Sequence, residues 1–96
     1  MFRFKAEAAA ADVGAIVEAF VALRTQVDTV RALEWGTNVS SEGLAKGFTH
    51  AIQLSFDDAA GRDVYLPHPA HQAFVARLQP VLDDVLVIDY QTPDGG

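Results

Sequence analysis

Cysteine is absent from this 96-residue chain. That excludes a disulfide framework and a thiolate metal site. Basic residues are few, seven against thirteen Asp and Glu, for a formal charge of −6. They are also scattered, at Arg3, Lys5, Arg24, Arg31, Lys46, Arg62 and Arg77. No basic stripe can track a phosphate backbone, so nucleic acid is not an expected partner. No apolar stretch approaches the roughly 20 residues of a membrane span. The opening Met-Phe-Arg-Phe-Lys runs into alanines rather than an apolar signal core. No membrane partner is expected, and the chain reads as cytoplasmic. A phosphate-cradling glycine loop, a nucleophile elbow and a carboxylate pair placed for glycoside chemistry are missing too.

What is present is an apolar half, 50% of residues, in a length that suits one small domain. Phe2 and Phe4 alternate with Arg3 and Lys5, which predicts a short strand. In residues 8–27, Val13, Ile16, Phe20, Leu23 and Val27 recur at helical spacing. Residues 29–39 alternate as a strand, with Leu33, Trp35 and Thr37 on one face; Trp35 is expected in the core or at a subunit interface. A polar, glycine-flanked loop follows at 40–47. In the strand predicted at 48–56, Phe48, His50, Ile52, Leu54 and Phe56 share a face, which places His50 at mid-strand. Residues 59–65 form a short helix. A longer one spans 69–84, with Phe74, Leu78 and Leu82 as its stripe and Pro80 as a kink. The last strand is expected at 85–90. One domain therefore covers 1–91, with a loose tail at 92–96. The order β-α-β-β-α-β predicts a ferredoxin-like α+β fold, a four-stranded antiparallel sheet with two helices on one face. Its uncovered face suits a homodimer.

The densest chemistry is Tyr65-Leu66-Pro67-His68-Pro69-Ala70-His71-Gln72, which holds two of the three histidines. Pro69 suits the first position of a helix. His71 then lies in its first turn and, by spacing to Phe74, Val75 and Leu78, on or beside the inward stripe. His50 points into the same layer from the sheet. Each has a bland reading as a core histidine satisfied by a carbonyl or hydroxyl. Together with the Tyr65 hydroxyl they offer a proton acceptor and an oxyanion donor, with histidine's ordinary pKa of about 6.5 suited to neutral pH. His68, just outside the helix, reads as a solvent-facing or capping residue. Its spacing to His71 invites a metal, but no thiolate helps and Asp63 is the sole nearby acid, so no metal is expected.

Leu33-Glu34-Trp35-Gly36, Lys46-Gly47-Phe48-Thr49-His50-Ala51, Arg62-Asp63-Val64-Tyr65-Leu66-Pro67-His68-Pro69-Ala70-His71 and Val87-Ile88-Asp89-Tyr90 resemble the stress-responsive α/β-barrel (Dabb) family over nearly the whole chain. The resemblance implies a dimeric α/β barrel of ferredoxin-like subunits, in agreement with the pattern above. One branch of that family closes a linear polyketide by aldol condensation without a cofactor. Its pocket histidine on the third strand, its tyrosine ahead of the His-Pro-Ala-His segment and the last histidine of that segment match His50, Tyr65 and His71. The implied roles are general acid or base for His71, oxyanion donor for Tyr65 and orienting partner for His50. Phe20, Ile52 and Phe74 are the implied ligand-pocket lining. Phe20 stands where that branch has a tyrosine, and nothing here matches its histidine near the start of the first strand, so the pocket is less polar. The implied partners are a small carbonyl ligand, polyketide-like, and a second copy of the chain; no cofactor is implied. The alternative is a non-catalytic, stress-associated oligomer in which the same side chains form a structural network. A third reading is a cofactor-free monooxygenase.

Overall fold

The computed structural model describes residues 1–93; the last three residues of the tail expected at 92–96 lie outside the described residues. The elements are β1 (Phe2–Phe4), α1 (Ala10–Gln26), β2 (Ala32–Thr37), β3 (His50–Ser55), α2 (Ala59–Tyr65), α3 (Pro69–Leu78), a 3-10 turn (Gln79–Val81) and β4 (Leu82–Val85). The sheet runs β2-β3-β1-β4, and every pairing is antiparallel. This is the expected ferredoxin-like arrangement.

Ile16, Phe20 and Leu23 form the buried stripe of α1, and Val27 caps its end with its N–H on the Leu23 carbonyl. The helix starts at Ala10 rather than Ala8: the Ala8 N–H is taken by the Lys5 carbonyl in a turn, and Ala9 is extended. The β2–β3 ladder runs from Ala32 opposite Ser55 to Thr37 opposite His50. Residues directly opposite share a face. Leu33 with Leu54, Trp35 with Ile52, and Thr37 with His50 therefore share one face, which the core places against the helices. Both strands are shorter than the alternation suggested. Val30 N–H turns back to the Val27 carbonyl, and Phe48 N–H to the Ala45 carbonyl. His50 consequently opens β3 instead of lying at mid-strand.

Pro80 does more than kink the second long helix. It has no N–H and crowds the preceding turn, so α3 stops at Leu78 and the chain tightens into the 3-10 turn. Leu82 then begins β4, where helix was expected. The strand expected at 85–90 is displaced with it. Leu86 still trades hydrogen bonds with Met1, its N–H to the Met1 carbonyl at 3.0 Å and the Met1 ammonium to its carbonyl at 2.7 Å. Val87, Ile88 and Tyr90 are left 72%, 71% and 71% exposed.

The core lies between the sheet and the helices. It comprises Phe2, Ile16, Phe20, Leu23, Val27, Val30, Tyr65, Phe74 and Leu78. Burying side chains of this size contributes about 1.5–3 kcal/mol each. Arg3 alternates with Phe2 and Phe4 and so projects to the other side of β1. Its guanidinium joins Asp83 at 2.6 Å, Asp84 at 3.3 Å and the Lys46 carbonyl at 3.0 Å. It also lies 5.5 Å from the centre of the Phe48 ring. Gly47 makes room for it: φ is +84°, and a Cβ there would sit 2.7 Å from Arg3 Cδ.

Candidate functional site

The corner between α2 and α3 is set by its sequence. Tyr65 ends α2, Leu66 caps it in helical conformation, and His68 caps α3 with Pro69 in the first turn. The His68 Nδ1 accepts from the Ala70 N–H at 3.0 Å. His68 is therefore a capping residue, as its place before the helix suggested.

His71 is the third residue of α3. Its Nδ1–H donates to the Leu66 carbonyl at 2.8 Å. A carbonyl can only accept, so in the neutral ring the lone pair lies on Nε2. The Gln72 Nε2 donates to the same carbonyl at 3.0 Å. The Tyr65 ring lies 4.4 Å from that of His71 and 5.4 Å from that of Phe56. Tyr65 is 7% exposed. Burial pushes its phenol up to about 12, so it stays an O–H donor across the physiological range. Among the described residues no fully buried side-chain nitrogen or oxygen lacks a hydrogen-bond partner.

His50 has other neighbours. Its Nδ1 lies 2.8 Å from the Thr49 hydroxyl. Phe4 meets its ring edge-on at 5.0 Å, and Trp35 lies parallel to it, 6.3 Å between centroids and 9° between planes. Desolvation holds its pKa below the ordinary histidine value. The structure thus brings Tyr65 and His71 together and gives His50 its own aromatic surroundings. A row of rings joins the two groups: Phe4 to Phe2 at 6.0 Å, and Phe2 to Phe74 at 6.3 Å, with Phe74 one turn along α3 from His71.

Of the expected pocket lining, Phe20 and Phe74 pack 5.9 Å apart inside the core and Ile52 rests against it. A concavity of about 370 Å³ takes in His50 with Met1, Lys46, Phe48, Thr49 and Leu86. Another of about 280 Å³ lies along α2, from Ala60 to Val64, with the Arg31–Asp57 ion pair on its wall. Asp63 is engaged by Arg62 at 3.2 Å. Among the described residues no group of three or more His, Asp or Glu side chains is arranged to hold a metal ion. No helix of the described residues is long and apolar enough to cross a membrane.

Two participants escaped the sequence reading. Trp35 is 45% exposed and stacked on His50, not in the core; pairing β2 with β3 in register would have revealed the contact. Leu66 contributes through its backbone, which no side-chain pattern announces.

The sequence profile of the Stress responsive A/B Barrel Domain matches residues 1–92. The chain is 34% identical over 76 residues, 79% of its length and 70% of the relative's, to the stress-response A/B barrel domain-containing protein HS1 of Arabidopsis thaliana. It is 24% identical over 90 residues, 94% of its length and 89% of the relative's, to olivetolic acid cyclase of Cannabis sativa. Among solved structures, an Arabidopsis thaliana protein superposes with a TM-score of 0.89 at 31% identity, covering 95% of this chain and 88% of that one. A dimeric ferredoxin-like protein of unknown function from Thermobifida fusca does so at 0.71 and 26%, covering 88% and 77%. Profile, plant relatives and fold agree, and the chain belongs to the stress-responsive A/B barrel domain family.

Proposed function

We propose that the chain binds a small carbonyl compound beside Tyr65 and His71 and moves a proton on it without a cofactor, as a dimer of ferredoxin-like subunits. The observation that carries this reading is the 4.4 Å contact between the two rings, with the His71 Nδ1–H tied to the Leu66 carbonyl. That bond leaves Nε2 as the proton acceptor, and the high phenol pKa keeps Tyr65 a donor. In the step we infer, the C–H bond next to the carbonyl breaks and its proton passes to His71 Nε2. The electron pair moves onto the carbonyl oxygen, where the Tyr65 O–H stabilises it. His50, beyond the ring row, takes no part in this step. The olivetolic acid cyclase relative supports the enzyme class. The exposed Val87, Ile88 and Tyr90 and the dimeric Thermobifida relative support the dimer.

Deuterium uptake at the methyl group of acetophenone in D2O, followed by NMR, tests the step. The wild type should exchange above the solvent background. His71→Ala should return to background, and Tyr65→Phe should lose about tenfold or more. A wild type at background sinks the proposal. A second reading is favoured by the backbone bonds of the corner: His68 and His71 serve structure alone. It predicts that His71→Ala costs about 1–3 kcal/mol of stability and changes no activity.

A further inference from the structure

Two side chains converge on one backbone oxygen at the α2–α3 corner. His71 Nδ1 lies 2.8 Å and Gln72 Nε2 3.0 Å from the Leu66 carbonyl. Leu66 is the residue that caps α2, and its N–H is used within that helix, on the Arg62 carbonyl. Its carbonyl lies past the last turn, where no helical N–H follows to take it. The peptide that holds it is the hinge between two helices, and Pro69, three residues on, has no N–H to offer it. Both donors come from α3, from adjacent residues. A carbonyl oxygen has two lone pairs and accommodates both.

We propose that Gln72 is a positioning residue for His71. It acts through the Leu66 carbonyl, clamping that oxygen to α3 so that it meets the imidazole at a fixed place. With one donor the peptide can swing about the corner, and the imidazole is free to exchange its Nδ1–H form for its Nε2–H form. With two donors on adjacent residues the oxygen is held, and the lone pair is kept on Nε2. This inference rests on the reading of His71 as the proton acceptor for its use, but not for its existence, because the tautomer is measurable without a substrate.

The test is Gln72→Met, which keeps length and removes the donor, alongside Gln72→Lys, which restores one. Gln72 is exposed, so both variants should fold, and thermal unfolding checks this. The readout is the ring nitrogen spectrum of ¹⁵N-histidine protein at a pH above the titration, with the His71 signals assigned by their loss in His71→Ala. Wild type should show the Nδ1–H form. Gln72→Met should shift population toward Nε2–H, and Gln72→Lys should shift it back. Acetophenone exchange should fall about fivefold in Gln72→Met, the worth of one neutral hydrogen bond. A His71 tautomer unchanged, or more completely Nδ1–H, in Gln72→Met overturns the proposal. If the tautomer shifts while wild-type exchange is at background, the proton-transfer reading fails and the positioning role stands.

Discussion

The inward stripe of α1 and the segment that follows β4 are made from the same kinds of residue and live in different surroundings. On α1 and at its C-cap, Phe20, Leu23 and Val27 are 2%, 0% and 0% exposed. At the C-terminal end, Val87, Ile88 and Tyr90 are more than two-thirds exposed although their apolar content is similar. The difference teaches that periodicity locates apolar side chains but not what covers them. Helix α3 and the sheet cover the first group within the chain. The second group needs a surface from elsewhere, and a second copy is the one we propose.

The sharpest way to probe this contrast is to remove a side chain from each region. Leu23→Ala should cost about 2–5 kcal/mol in urea unfolding, because a fully buried leucine leaves a cavity. A loss under 1 kcal/mol would mean that the helix side is not the core. Ile88→Lys should leave the unfolding of the isolated subunit within about 0.5 kcal/mol, as exposed substitutions do. It should nevertheless convert dimer to monomer in sedimentation velocity. A dimer that survives Ile88→Lys would place the interface elsewhere.

Acid sensitivity separates the two histidine surroundings. The unfolded chain protonates His50 near pH 6.5, while the folded chain, with its pKa depressed by burial, resists until lower pH. In that window the unfolded state binds more protons, so stability is present above pH 6.5 and is lost as pH falls through the folded pKa. His50→Gln should flatten that slope, and an unaltered slope would assign the acid lability to another group. The smallest effect belongs to Tyr65→Phe at neutral pH. Stability should change by less than about 1 kcal/mol, since the ring keeps its packing, while acetophenone exchange falls. At high pH the sign is fixed by the raised phenol pKa: the wild type should lose stability as pH rises from 10 toward about 12, and Tyr65→Phe should not. A wild type indifferent to that range would contradict the burial of the phenol.

Much of the fold could be read from spacing. The stripe Ile16, Phe20, Leu23 and the alternation around Ile52 and Leu54 specify a helix and a strand through local repetition. The order of elements then leaves few topologies. What spacing misplaced were ends. Phe48 continues the alternation of β3, yet a turn to Ala45 takes it off the strand. Leu82 continues the stripe of α3, yet Pro80 ends that helix first. A period carries no information about where hydrogen-bond partners run out. The site shows the same split. Tyr65 and His71 were legible because a short segment with two fixed prolines brings them together. The company of His50 was not, because Trp35 reaches it through strand register rather than sequence proximity.

Trp35 has a practical consequence. It is the chain's one tryptophan, and its indole lies parallel to the His50 imidazole at 6.3 Å. All indole emission from the protein therefore originates at this end of the sheet. An imidazolium accepts an electron from an excited indole more readily than a neutral imidazole does, so the fluorescence should dim as His50 charges. In the purified protein the one indole would then report the protonation of His50 without a label.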